Sequence, residues 1–206
     1  MARNSVSRSL HDVGLAAWFG GTLANAVALN PAAAEADSSS GTGRVANTGW
    51  NRWTPVNAAA IGAHLVGSVG QLVGNRRRVA RQQGAAGTAV LKTVLTAAAL
   101  GVTAYSRSLG QIVSQGGAVP SKKATKPSRR ARAEIAAAQQ KLDSLQWVVP
   151  ALTGALVVVS SYAGEQQRAS EVARGTAEKE LPTSETADVP SVGNGAPVVG
   201  SAGSSM

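Results

Sequence analysis

Apolar residues gather into four stretches, each nearly free of charge and each set off from the next by polar, often basic, sequence. Val13–Leu29 and Trp147–Ala163 each run 17 residues without a charged side chain. Val56–Val73 covers 18 residues with His64 as its one ionisable group, and Ala85–Tyr105 covers 21 with Lys92 alone. A helix crossing about 30 Å of hydrocarbon takes roughly 20 residues, within a range of about 17–25, so all four have spanning length. A soluble four-helix bundle would carry charges along one face of every helix; these segments lack such a face. The pattern predicts an all-α fold, a four-helix transmembrane bundle spanning residues 13–29, 56–73, 85–105 and 147–163 within a membrane domain of residues 1–168.

The boundaries fit. Thr54-Pro55 reads as an N-cap followed by proline at the first helical position, and Pro150 lies one turn inside span four. Trp50, Trp53 and Trp147 precede spans two and four, while Tyr105 and Tyr162 close spans three and four; such rings suit the headgroup region. Ile135, Ala138, Leu142 and Leu145 continue a stripe begun at Ala131 in steps of three and four, an amphipathic extension running into span four. Leu109, Ile112 and Val113 extend span three in the same way, so the two extensions are expected to pair beyond the bilayer. Residues 30–53 read as a loop and residues 116–128 as a flexible basic linker. Residues 169–206, above all from Leu181 onward, read as a disordered C-terminal tail with too little apolar surface to order itself.

Composition explains how such helices meet. Of 206 residues, 39 are Ala and 23 Gly, and charged residues are 15%, against roughly 25% in soluble domains. Small residues let helix backbones approach closely in lipid, as in Gly70-xxx-Gly74. The chain has no cysteine, which excludes disulfides, thiolate metal sites and a cysteine nucleophile.

The net charge of +9 lies in the connectors. Arg76, Arg77, Arg78 and Arg81 sit between spans two and three and are expected to contact anionic lipid headgroups; with no aromatic platform beside them, nucleic acid is not expected. Placing the N-terminus inside puts 9 Lys and Arg on the cytoplasmic side and 10 outside, so the positive-inside rule does not decide. Arg3 and Arg8 ahead of the first span favour cytoplasmic N- and C-termini in a multi-pass protein of the cell membrane. The same two arginines with Ala32-Ala33-Ala34 resemble a signal peptide, against which stand the length of the apolar stretch and His11, Asp12 and Asn25 within or beside it.

Chemistry at membrane depth rests on polar side chains, which are costly there. His11, Gly14, Trp18, Gly21 and Asn25 share one face of span one; Asn57, His64, Ser68, Gln71 and Asn75 share one of span two; Lys92, Thr96 and Thr103 lie along span three. A candidate polar seam therefore comprises His11, Asn25, Asn57, His64, Gln71 and Lys92. Two readings stay open: hydrogen-bonded packing between helices, or a seam in which His64 contacts a proton or substrate. His11 and Asp12, being adjacent, are expected to point apart. Two histidines on different spans supply no metal spacing, and no serine is coupled to a base, so no catalytic, metal or cofactor site is expected and the protein is not expected to be an enzyme.

The strings HDVGLAAWFGGTLANAVALNPAA, GWNRWTPVNAAAIGAHLVG, LTAAALGVTAYSRSLG and LQWVVPALTGALVVVS resemble a family of small four-span integral membrane proteins of high-GC Gram-positive bacteria. A fainter likeness, a first-span His followed by Gly and Trp, is to proteins of the transmembrane-protein-205 type. These resemblances imply four spans and a bacterial source and bring no catalytic residues with them. Two functions follow as expectations. The first is a structural or accessory protein packing through small-residue faces, as a homo-oligomer or with a membrane partner. The second is a small transporter or channel centred on His64.

Overall fold

A computed structural model of the chain describes residues 4–115, 121–123, 126–127 and 133–180. Helix α1 (Ser5–Ala24) passes through a π-helical turn, Asn25–Leu29, into the short α2 (Asn30–Ala33). The wide turn lies directly before Pro31, where the missing amide prevents a normal α-helical bond. The Asn30 N–H reaches back five residues to the Asn25 carbonyl.

The long helix α3 (Ser39–Gly74) follows, capped by Ser38, whose hydroxyl accepts from the Gly41 amide at 3.1 Å. The loop expected over residues 30–53 is thus helical apart from a turn at residues 34–38, and Thr54-Pro55 lies inside α3 rather than at its start. Tertiary contacts account for the difference. The Leu29 side chain sits against Gly49, and the Trp50 indole N–H donates to Asn30 Oδ1 at 3.0 Å. Asn30 Nδ2 in turn donates to Gln146 Oε1 at 2.7 Å, so the extra turns of helix are bonded to their neighbours on both sides.

After α4 (Arg76–Arg81) the chain reverses at Gly84, whose φ of 77° lies in the left-handed region open to glycine. Helix α5 (Ala85–Gln115) leads to a small antiparallel ribbon, β1 (Ser121–Lys123) with β2 (Lys126–Pro127). The rest of the expected linker lies outside the described residues. Helix α6 (Ala133–Glu165) then runs unbroken through Pro150. As the stripe predicted, Leu109 and Val113 of α5 form a buried cluster with Ile135 and Ala138 of α6, joined by Ile112, Leu142 and Leu145. A further helix, α7 (Ala169–Glu180), replaces the first part of the expected tail. It is tied down where the Gln83 amide donates to the Gly175 carbonyl at 3.1 Å and Gln82 Nε2 donates to the Gln166 carbonyl at 3.0 Å. Residues 181–206 of that tail lie outside the described residues.

The long helices alternate in direction. One end of the bundle holds the start of α1, the Arg-rich α4 and α7; it is called the connector end below. The other holds Trp50, Trp53, Tyr105 and Trp147 and is called the aromatic end. Helix α1 packs on α3, α5 on α6, and α1 also on α6, while α3 and α5 touch only sparsely.

Burial is inverted relative to a soluble bundle. His11, His64, Gln139 and Thr153 are fully enclosed, whereas Val66, Val69, Val90, Val94 and Val158 are mostly exposed. Polar groups inside and valines outside suit a hydrocarbon surround, where apolar side chains gain nothing by hiding from the solvent. The four segments Ser5–Ala33, Ser40–Gly74, Ala85–Gln115 and Ala133–Glu165 are long and apolar enough to cross a membrane. The chain is built as a multi-pass membrane protein.

The closest contact runs along α1 and α3. A Cβ at Gly14 would fall on the Ala60 carbonyl and the His64 backbone, and one at Gly67 on the His11 amide and the Ser7 carbonyl. Gly70 and Gly74 meet the Ser7 and Asn4 side chains, and Asn4 Nδ2 donates to the Gly70 carbonyl at 3.0 Å. By contrast, nothing stands within 4 Å of a Cβ at Gly62. Gly14→Ala is therefore expected to destabilise the protein by about 1–3 kcal/mol through overpacking. Gly62→Ala, in the same bundle, is expected to stabilise it by up to about 1 kcal/mol through helix propensity. Unfolding of both variants in mixed micelles checks this; equal effects would show that α1 and α3 do not meet through backbone.

Candidate functional site

Glycines at positions 14 and 67 bring two histidine rings into contact. With the α1 and α3 backbones in contact there, the His11 and His64 rings lie with centroids 4.5 Å apart at 46°. Trp18, two turns along α1, approaches His64 edge-on at 6.1 Å and 60°. All three side chains are essentially withdrawn from the surface.

The bonding around His64 assigns its tautomer. Nδ1 lies 3.4 Å from the His11 carbonyl oxygen, which can only accept, so Nδ1 carries the hydrogen. In the neutral ring Nε2 is then the acceptor, 3.4 Å from Thr96 Oγ1 and 3.5 Å from Ser68 Oγ. Ser68 spends its hydrogen on the His64 carbonyl at 2.7 Å, which leaves the Thr96 hydroxyl as the donor to Nε2. His64 bridges α1, α3 and α5.

His11 is bonded differently. Its Nδ1 is 2.7 Å from Asp12 Oδ1, so the adjacent pair does not point apart as expected; the Asp12 carboxylate folds back over the ring. His11 Nε2 is buried without a hydrogen-bond partner, as is the Trp18 indole N–H.

A cavity of about 440 Å³ leads from the connector end to this pair. Arg8, Asp12 and Glu165 stand along it with His11, Lys92, Gln71 and Ser160. Gln71 Nε2 and Ser160 Oγ are further buried atoms without partners. His64 does not line the cavity but sits behind His11. Beyond it a packed apolar layer of Trp18, Ala60, Ala99 and Val149, backed by Ile61, Leu100 and Leu152, closes the bundle. The cavity is a vestibule with a blind end.

The candidate seam therefore divides. His11, His64, Gln71 and Lys92 come together at the connector end. Asn57 lies on the far side of the apolar layer, and Asn25 opens the π-helical turn and lines neither cavity. The buried face of α1 runs through Leu15, Trp18, Thr22 and Ala26, so a strict step of three and four from Gly21 carries one past it to Asn25. The sequence reading missed the His11–Asp12 bond, and Ser160, one of the polar residues of span four, was left out of the candidate seam. Among the described residues no three His, Cys, Asp or Glu side chains are grouped to hold a metal ion.

Asn57 belongs to a second cavity, of about 350 Å³, at the aromatic end between α3 and α5. Trp50, Asn30 and Gln146 form its bonded outer wall.

No protein-family model, curated protein or solved structure matches this chain.

The tautomer makes Thr96 the donor that ties α5 to the histidine pair. Thr96→Val is expected to cost about 1 kcal/mol, and the cost should vanish in a His64→Leu background. A double-mutant cycle on unfolding free energies measures the coupling, expected above about 0.5 kcal/mol; strict additivity would rule out the Thr96–His64 bond.

Proposed function

We propose that this protein is a small membrane transport protein whose connector-end vestibule admits a proton or small polar solute to the His11–His64 pair. The observation that carries this reading is a blind, charge-lined vestibule ending at His11, whose ring is in contact with that of His64 behind it. Ionisable groups inside a span are expensive and are kept where an ion or substrate path needs them. Asp12 and Glu165 beside Arg8 and Lys92 give the vestibule both signs of charge, which suits a proton or a compact polar solute better than a large anion. The reading involves no enzymatic step and no cofactor.

The accessory-subunit reading drew on small-residue faces. Gly14, Gly21, Gly67, Gly70 and Gly74 meet side chains or backbone of this same chain, so those positions are filled from within, while Gly20, Gly62, Gly87, Gly101 and Gly110 stay open to a neighbour; the polar cluster is what favours transport over packing alone.

In this reading the connector end is cytoplasmic, with both termini there. Arg76, Arg77 and Arg81 are exposed around it and suit anionic headgroups. Arg78 turns inward, donating to Gln82 Oε1 at 2.9 Å, and burial lowers its pKa from the ordinary arginine value. It is the least available of the four for lipid.

Two experiments test these statements. In proteoliposomes with a trapped pH indicator, the protein should dissipate an imposed pH gradient or accelerate entry of a polar solute. His64→Ala and Gln71→Ala should reduce the rate at least about tenfold while folded yield is retained. Full activity in both variants would mean that the cluster only packs helices, and a stoichiometric membrane partner recovered with an inactive protein would restore the accessory reading. For orientation, a cysteine at Ser40 should react with an impermeant maleimide on intact cells and one in residues 186–190 should not; the reverse pattern would place the termini outside.

A further inference from the structure

The aromatic-end cavity lies across the apolar layer from the vestibule and plays no part in the proposed transport step. Its walls come mainly from α3 and α5, the neighbouring helices that touch only sparsely. Ala58 and Ala104, both exposed, line it on α3 and α5 and present only methyl groups there. Along α3 it extends from Ala46 to Ile61, a length of roughly 22 Å at 1.5 Å per residue. Long and narrow, and only about 350 Å³ in volume, it matches a single hydrocarbon chain rather than a two-chain phospholipid.

Its lining is chiefly apolar, yet four of the side chains that line it hold buried polar atoms with no hydrogen-bond partner: Trp53 Nε1, Asn57 Oδ1, Thr103 Oγ1 and Ser106 Oγ. They come as two pairs, one turn apart on α3 and one turn apart on α5, on opposite walls midway along the groove. Unpaired polar atoms at such a depth are costly, because hydrocarbon offers them no partner. Four in one cavity are a set of hydrogen bonds left open. The indole donates, the carboxamide oxygen accepts, and the two hydroxyls do either. None of the four is charged. The nearest cation, Arg107, is engaged with Asn51 Oδ1 at 3.2 Å.

We propose that this cavity binds a single-chain membrane amphiphile with an uncharged hydroxyl or carbonyl headgroup, which enters sideways from the bilayer between α3 and α5. The headgroup takes up the open bonds of Trp53, Asn57, Thr103 and Ser106 after small rotations of the side chains, the near part of the chain lies toward Ile61 and Leu100, and the remainder passes between α3 and α5 into the bilayer.

Full-length protein in phosphatidylcholine nanodiscs, exposed to diazirine-bearing hexadecanol and irradiated, tests this. Labelling is expected within peptides that contain residues 53–61 and 100–107, competed by plain hexadecanol. Thr103→Val with Ser106→Ala should weaken labelling about tenfold, the equivalent of one or two lost hydrogen bonds, and Thr103→Ser should restore most of it in the single-site comparison with Thr103→Val. Ala104→Phe, which obstructs the gap, should abolish labelling; thermal unfolding of each variant confirms that the bundle is intact. A matching diazirine alkane that labels as well as the alcohol would overturn the headgroup assignment. So would stronger labelling by diazirine hexadecanoate, which would assign the site to an anion held by Arg107. Unchanged labelling in Ala104→Phe would overturn the site itself. Since these readouts do not involve flux, failure of the transport reading leaves them untouched.

Discussion

Apolar side chains surrounded by lipid gain little by contacting one another, so helices in this setting are held by close packing and by hydrogen bonds that lipid cannot replace. In this protein that requirement is met most fully where α1 and α3 meet backbone to backbone at Gly14 and Gly67. Any side chain at either position would hold the helices apart, and the rest of the bundle's geometry depends on their not being held apart. The same approach sets the register of the pair. With Ser7 against Gly70 and Trp53 against Gly21, the His11 ring is held against that of His64.

From that register follow the arrangement of the polar groups and the empty space. Helix α1 also packs on α6, and α6 on α5, so three of the four contacts around the bundle are made and the fourth, between α3 and α5, stays loose. Space collects on either side of the apolar layer formed by Trp18, Ala60, Ala99 and Val149. At the connector end it is bordered by several ionisable residues, and at the aromatic end by neutral ones apart from Arg107. The protein is thus asymmetric along its axis in chemistry as well as in its ring of tryptophans. A single continuous seam, as the helical faces suggested, would have required Asn57 to point to the same side of Trp18 as His64. Seven residues along α3 keep both on one face, but they are roughly 10 Å apart along the axis, enough to put the apolar layer between them.

The parts of this structure that were legible in the sequence are those governed by one helix at a time. Charge-free length marked all four spans, and the stripe through Ile135, Ala138, Leu142 and Leu145 marked both the extension of α6 and, with Leu109 and Val113, its partner. What could not be read depended on two elements at once. Residues 39–55 have the serine, glycine and asparagine content of a loop, yet are helical because Leu29, Asn30 and Gln146 are there to meet Gly49 and Trp50. Gly70-xxx-Gly74 did announce a close approach, but not that Ser7 and Asn4 would fill it. The His11–Asp12 bond escaped because helical spacing describes where side chains leave the backbone and not where a short carboxylate can turn.

The pattern of unpaired atoms separates packing from function in a way that burial alone does not. A bundle selected for stability has every reason to pair its inner polar groups, and this one does so where the contacts are purely architectural. Thr22 and Thr153 bond carbonyls one turn back, and Asn30 bonds on both sides. Most of the exceptions cluster, Trp18 Nε1, Arg78 Nε and Gln166 Oε1 standing apart. His11 Nε2, Gln71 Nε2 and Ser160 Oγ belong to residues of the vestibule, and the Trp53, Asn57, Thr103 and Ser106 atoms belong to the other cavity. Each leaves a desolvation cost of about 1–3 kcal/mol uncompensated, and apolar replacements of the same size would remove it without disturbing the glycine contacts. That seven such atoms gather around the two spaces, with the Trp18 indole N–H the exception in the layer between them, is the arrangement expected if their partners arrive from outside the chain.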